Sequence, residues 1–99
     1  METCDLNALE LTRLLKKREV SAAEIVENCL RRIAAVDGRP GAMDNSGISA
    51  EDRQRVHAFI TLTDSEARAQ AAEIDKKLAA GEDPGPLAGM PFTVKDIFC

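Results

Sequence analysis

Two helix-start motifs stand close together near the beginning of the chain. Asn7 is followed three residues later by Glu10, and Ser21 is followed in the same way by Glu24. Such pairs form capping boxes, in which two side chains satisfy free backbone N–H groups at a helix start. Apolar residues recur at helical spacing behind each motif, which predicts two amphipathic helices. Because the link between them is short, we expect residues 1–36 to form a helix hairpin.

The last part of the chain has a strand-helix-strand pattern. Val56–Leu62 alternates in the manner of a strand, and Pro91–Ile97 is a second short apolar strand. Between them, Thr63 and Glu66 predict the start of an alanine-rich helix that ends near Gly81. Two strands do not make a stable sheet by themselves. The sequence therefore predicts an α/β fold in which this chain is the N-terminal part of a larger protein.

Residues 37–55 have a different composition, with three glycines, one proline and one asparagine. This favours a surface loop insertion, with one helical turn after Ser49. The run Asp44–Gly47 superficially resembles a calcium loop, but it lacks the alternating ligand spacing and the closing glutamate. The predicted organisation is thus a hairpin, this loop, and a strand-helix-strand unit over 56–99.

The composition of the chain argues against several classes of protein. The net charge of −4 provides no basic surplus for binding nucleic acid unaided. Cys4, Cys29 and Cys99 have no C-x-x-C spacing, so neither a disulfide framework nor a zinc site is indicated. The first ten residues do not resemble a signal peptide, and no apolar run reaches the roughly 18 residues of a membrane span. A reduced, cytoplasmic protein is expected.

Lys95 is the main candidate for chemistry. It comes at the carboxyl end of the second predicted strand, on the face opposite Phe92 and Val94. Catalytic residues of α/β sheets gather at such strand ends, and burial favours the neutral amine that a base requires. The alternative is a lysine that ends the strand in water or pairs with Asp96.

Other reactive residues have simpler explanations. His57 is a lone histidine, favoured as a partly exposed strand residue, and no serine is placed to pair with it. Cys29 lies on an apolar helix stripe and is interpreted as core packing. Cys99 shows no means of activation and is interpreted as an inert thiol. No metal site is predicted.

Three segments together resemble a known family. Gly85–Asp96 resembles the lysine motif of the amidase signature family, written PL-x-G-x-P-x-x-x-KD. Leu14–Asp37 resembles the opening helices of that family, and Val56–Thr63 resembles its N-A-F strand. The resemblance implies the N-terminal part of the amidase signature fold, with a helix hairpin followed by a strand-helix-strand unit of a larger mixed sheet.

The resemblance also implies an activity. Members of the family hydrolyse amides with a Ser-Ser-Lys triad, and Lys95 matches the triad lysine. It would act as a general base or acid through a bridging serine, while a second serine forms an acyl-enzyme. Both serines belong to a signature that lies further along the family's chain. We therefore expect residues 1–99 to be inactive alone.

Within the family, the resemblance is greatest to the glutamine-hydrolysing subunits of amidotransferases. These supply ammonia to a partner, the B subunit, which uses ATP and magnesium to activate a misacylated tRNA, and a small C subunit braces the complex. No cofactor is expected in this chain. The ending Lys95–Phe98 differs from the common K-D-N-I form and leaves the subfamily open. The alternatives are a stand-alone amidase that hydrolyses a small amide and a non-catalytic helical interaction module.

Overall fold

The computed structural model describes residues 2–38 and 50–98, and this part of the chain is helical. Its elements are a 3-10 turn Thr3–Asp5, α1 (Ala8–Lys16), α2 (Ala22–Val36), a second 3-10 turn Asp52–Gln54, and α3 (Asp64–Ala79). The second 3-10 turn agrees with the helical turn predicted after Ser49. The calcium-like run Asp44–Gly47 lies outside the described residues.

The first two helices begin where the sequence predicts. Asn7 and Glu10 exchange hydrogen bonds of 2.9 Å through a complete capping box. Ser21 and Glu24 form the second box, with bonds of 2.8 and 3.0 Å. The box predicted at Thr63 is wrong, because its side chain makes no capping hydrogen bond. The backbone of Thr63 has φ −92° and ψ 58°, outside the extended conformation that usually aims an N-cap side chain at the helix.

The buried core is small and centres on α2. Among the described residues, the buried apolar side chains are Leu11, Leu15, Ala22, Ile25, Val26 and Ala71. The α2 backbone lies close along α3, whereas α1 contributes Leu11 and Leu15 to the core. Helices α1 and α2 share this core, and α3 is the principal partner of α2. Helical spacing predicts an apolar face of α3 formed by Ala67, Ala71, Ile74 and Leu78, and these residues do face this core.

The molecule is more extended than a self-contained domain of its size. Its Cα radius of gyration is 15.6 Å, against about 13 Å for a compact domain of 100 residues. Several large apolar side chains are exposed, including Phe92 and Ile97. In the described ranges, no helix is both long and apolar enough to cross a membrane.

One carboxylate fixes α3 to the start of α2. Asp75 on α3 accepts hydrogen bonds from the backbone N–H groups of Ala22, at 2.7 Å, and Ala23, at 3.0 Å. These are two of the free donors of the first turn of α2, and a negative charge is favourable there because of the helix dipole. The contact sets the register of the two helices in the core.

Replacing Asp75 with alanine should lower the free energy of unfolding by about 1–2 kcal/mol, because two helix-start donors lose their acceptor. Urea denaturation followed by circular dichroism measures this change. Glu73→Ala is the matched control, since Glu73 makes an exposed pair with Lys76 at 3.3 Å. Equal effects of the two substitutions would contradict the capping role.

A second link between α2 and α3 is an exposed ion pair. The Arg68 guanidinium donates to both carboxylate oxygens of Glu27 and to Asp64, the latter at 3.2 Å. The hydrogen bond from Arg68 is the main cause that holds the pKa of Glu27 below its ordinary value. Because the folded pKa is lowered, the pair stabilises the fold above the unfolded pKa, and this contribution disappears as the pH falls through the folded pKa.

The substitution Arg68→Ala should raise the pKa of Glu27 back towards the ordinary glutamate value. An NMR titration of the Glu27 side-chain carboxyl carbon measures it directly. Lys76→Ala, which removes a cation from the same helix away from Glu27, should leave that titration unchanged. A Glu27 pKa that stays low in Arg68→Ala would show that another group lowers it.

The two predicted strands are not formed, and no strand is assigned within residues 2–38 and 50–98. In the first, His57 has φ +54°, which breaks the alternation of an extended chain. The backbone donors of this segment bond to the end of α2 instead of a neighbouring strand. Val56 N–H donates to the carbonyl of Val36, and His57 N–H to that of Asp37, both at 3.0 Å.

Asp37 completes this attachment with its side chain. Its carboxylate accepts from the N–H groups of Ala58 and Phe59, and the residue is only 2% exposed. The sequence placed Asp37 at the start of a loop, and nothing in its local pattern indicates a buried acid. The carboxylate holds residues 56–59 against the end of α2, where the predicted strand would have begun.

Candidate functional site

A glycine turn anchors the beginning of the lysine motif to the helices. Residues 86–89 form the turn, and the N–H of Met90 donates to the carbonyl of Leu87 at 3.2 Å. Gly89 has φ +83°, and a Cβ added there would lie 2.7 Å from Leu15 Cδ1 and 3.5 Å from Ala22 Cβ. Only glycine combines this backbone conformation with so close an approach to the core. Met90 then packs against the same core.

Beyond Met90 the motif leaves the core and is exposed throughout its described part. Phe92 is 82% exposed and Val94 62%. Lys95 is exposed as well, and its carbonyl accepts a hydrogen bond of 3.0 Å from the N–H of Phe98. The predicted strand Pro91–Ile97 is therefore not formed in this structure. An extended segment needs a neighbouring strand to satisfy its backbone groups, and here it ends in a turn instead.

The other sequence candidates lie elsewhere. His57 is half-buried and lies near Gly38 at the end of α2, whereas the Gly89 turn lies at the beginning of that helix. Cys29 is partly buried on α2 but is not among the described residues that form or pack against the core, so its interpretation as core packing stays a prediction. Cys99 lies outside the described residues. Among the described candidates, Lys95 is thus the one that lies within the motif.

A shallow groove lies beside the Gly89 turn. It has a volume of about 330 Å³ and runs between α1, the end of α3 and residues 81–88. Its polar lining includes Thr12, Lys16, Glu82 and Asp83, while Lys95 does not contribute. Sequence analysis missed this groove, because three separated segments form it and none carries a motif for it. Among the described residues that line it, no nucleophile is paired with a base.

One cluster has side chains of the kinds that bind metals. The ligand atoms of Glu2, Cys4 and Asp5 lie within 4.8 Å of one another. The Arg32 guanidinium, however, pairs with Glu2 at 3.3 Å and with Asp5 at 3.2 Å. The two carboxylates already neutralise a cation of the chain itself, so the cluster is explained as an ion-pair network.

Comparison with known proteins found one matching family profile and several similar sequences. The Amidase family profile matches residues 48–99, which include the whole lysine motif. The chain is 38% identical over 96 residues to the A subunit of glutamyl-tRNA(Gln) amidotransferase from Geobacillus thermodenitrificans. It is 36% identical over 99 residues to the same subunit from Desulforamulus reducens, and 42% identical over 90 residues to that from Thermosynechococcus vestitus.

These alignments cover 97%, 100% and 91% of this chain, but only 16%, 17% and 15% of the lengths of the relatives. The chain thus spans about a sixth of the length of the curated relatives it matches. No solved structure matches it significantly. Because the profile matches more than half of the chain and the expected lysine motif lies within it, the chain belongs to the amidase family.

Proposed function

We propose that the chain is the N-terminal part of a glutamine-hydrolysing amidotransferase subunit. Its ammonia would convert misacylated Glu-tRNA(Gln), or Asp-tRNA(Asn), to Gln-tRNA(Gln) or Asn-tRNA(Asn). The observation that carries this proposal is the 38% identity, over 97% of the chain, to the A subunit of a glutamyl-tRNA(Gln) amidotransferase. A general amidase would share the lysine motif, but the three relatives named above are all amidotransferase subunits, and they align along nearly the whole chain.

In the proposed mechanism, Lys95 is the lysine of a Ser-Ser-Lys triad. It would accept a proton through a bridging serine while the second serine attacks the glutamine amide carbonyl. Backbone N–H groups of a glycine- and serine-rich loop would stabilise the oxyanion. Both serines and that loop would come from chain beyond this segment, so residues 1–99 alone should not hydrolyse glutamine.

The exposed apolar residues support the idea that further chain covers this segment. Val56 and Ile60 are 67% and 64% exposed, and Phe92 and Ile97 are 82% and 79% exposed. Large apolar side chains of this kind mark surfaces that are buried in an interaction. We infer that segments 56–62 and 91–97 become strands of a mixed sheet when further strands pair with them. Such cover would also surround Lys95 with protein, which favours its neutral amine.

The proposed assembly contains two further proteins. The B subunit would use ATP and magnesium to activate the misacylated tRNA, and the C subunit would brace the complex. This chain would bind neither cofactor. Its Gly89 turn would hold the start of the lysine motif against the helices.

A chimera tests the proposed function. The matched segment of the Geobacillus thermodenitrificans protein is replaced with this chain, and glutamine hydrolysis is measured in the assembled complex. We expect activity within about tenfold of the parent, since the catalytic lysine is supplied at the same place in the motif. A soluble, assembled chimera without glutaminase activity would contradict the proposal. Hydrolysis of small amides but not glutamine would favour the stand-alone amidase.

A further inference from the structure

The N-terminal 3-10 turn is attached to one face of α2 by polar contacts. The backbone N–H of Cys4 donates to Asn28 Oδ1 at 3.1 Å. One helical turn further along, Arg32 donates to Asp5 at 3.2 Å and to Glu2 at 3.3 Å. Asn28 and Arg32 are four residues apart and therefore neighbours on the helix surface. The turn containing Cys4 thus lies along this strip of α2.

Cys29 lies beside this strip. It follows Asn28 directly and precedes Arg32 by three residues, and both of these residues contact the N-terminal turn. Cys4 and Cys29 are both free, partly buried thiols. Burial is the main cause that raises the pKa of the Cys29 thiol, and the nearby Cys4 thiol raises that pKa further. This effect of Cys4 on the Cys29 pKa agrees with two thiols that lie near each other.

We propose that Cys4 and Cys29 are a redox pair that closes to an intramolecular disulfide when the protein meets a low-molecular-weight disulfide such as oxidised glutathione. This proposal does not depend on the proposed amidotransferase function. It also differs from the sequence-based prediction, which found no disulfide framework because the two cysteines are far apart in the chain. Packing of the N-terminal turn on α2 brings the backbone of Cys4 to Asn28, the residue before Cys29.

The reaction is two successive thiol-disulfide exchanges. One protein thiolate attacks a sulfur of oxidised glutathione, forms a mixed disulfide and expels one glutathione thiolate. The second protein thiolate attacks the protein sulfur of that mixed disulfide, forms the Cys4–Cys29 bond and expels the second glutathione thiolate. In total, two protein thiols lose two electrons and two protons, and one oxidised glutathione becomes two reduced molecules.

The bond would replace weak attachments with a covalent one. The ion pairs of Arg32 with Glu2 and Asp5 are about half exposed, and such pairs contribute little to stability. A disulfide between Cys4 and Cys29 would close a loop of about 25 residues and restrict the unfolded chain. Oxidation should therefore stabilise the region where α2 meets the N-terminal turn, and reduction should release the turn.

The test uses the full chain with Cys99→Ser, which removes the third thiol. The protein is incubated with oxidised glutathione, alkylated with N-ethylmaleimide and digested with trypsin. Mass spectrometry should find residues 1–13 joined to residues 19–31, with a mass about 2 Da below the sum of the two thiol peptides. Dithiothreitol should reverse the link. The melting temperature of the oxidised monomer should rise by about 8 °C or more.

Cys4→Ser and Cys29→Ser in the same background are the control variants, and Cys29→Ala replaces the second if it does not fold. Each should leave only a mixed disulfide with glutathione and should lose the rise in melting temperature. The proposal is overturned if both thiols of the folded protein remain alkylatable or carry only glutathione. It is equally overturned if the linked peptides come from a disulfide-bonded dimer.

Discussion

Replacing Lys95 with alanine in the chimera should lower the kcat for glutamine hydrolysis by about 10²–10⁴-fold, the range expected for the loss of a general base or acid. The reason is that neither serine of the proposed triad can lose its proton readily at neutral pH without an adjacent base. Lys95 itself is exposed and lies outside the buried core, so its removal should leave the fold of this segment intact.

Two further variants distinguish a loss of proton transfer by Lys95 from the loss of a positive charge and from misfolding. Lys95→Arg keeps the positive charge but cannot supply a neutral amine, so its loss of kcat should match that of Lys95→Ala. Lys76→Ala removes an exposed lysine of α3 and should leave kcat unchanged. Circular dichroism and assembly with the partner proteins check that each variant folds. A Lys95→Ala chimera that keeps its activity would remove Lys95 from the mechanism.

The largest loss of stability should come from Asp37→Ala. The substitution removes the acceptor of two backbone N–H groups, those of Ala58 and Phe59, at a residue that is 2% exposed. A buried donor without a partner costs about 1–3 kcal/mol. We therefore expect the free energy of unfolding to fall by about 2–4 kcal/mol, with residues 56–59 released from the end of α2.

Urea denaturation measures the change, and hydrogen exchange at Ala58 and Phe59 locates it. Asp37→Asn keeps one acceptor oxygen and should give an intermediate loss. Glu82→Ala, an exposed acid after α3, is the matched control and should change the free energy of unfolding by less than about 0.5 kcal/mol. Unchanged exchange at Ala58 and Phe59 in Asp37→Ala would show that the carboxylate does not hold this segment.

The lysine motif shows how much of the candidate site could be predicted from the local sequence pattern. The lysine motif, together with the two segments before it, indicated the family, and the family profile covers the motif. The position of the Gly89 turn against Leu15 and Ala22 could not be predicted, because it depends on how two distant helices meet. The catalytic role of Lys95 stays a prediction, since the two serines proposed to act with it are not among residues 1–99.

The strand predictions show the limit of the same reasoning. Alternating apolar residues over 56–62 are compatible with a strand, but a strand forms only when a neighbour accepts its backbone hydrogen bonds. In this structure, backbone N–H groups of residues 56–58 donate to carbonyls at the end of α2 and to the Asp37 carboxylate instead. The alternation of apolar residues indicates which face of a segment can be buried. It does not indicate which other segment will pair with its backbone.

By itself, the sequence determined the three helices and the apolar face of α3. Capping boxes and helical spacing act within a few residues, so α1 and α2 begin directly after Asn7 and Ser21 as predicted. Only the tertiary structure decided that α3 is the main partner of α2, that Asp75 caps α2, and that Asp37 is buried. Each of these joins residues that are distant in the chain. Such contacts depend on the packing of whole elements, for which a local pattern carries no signal.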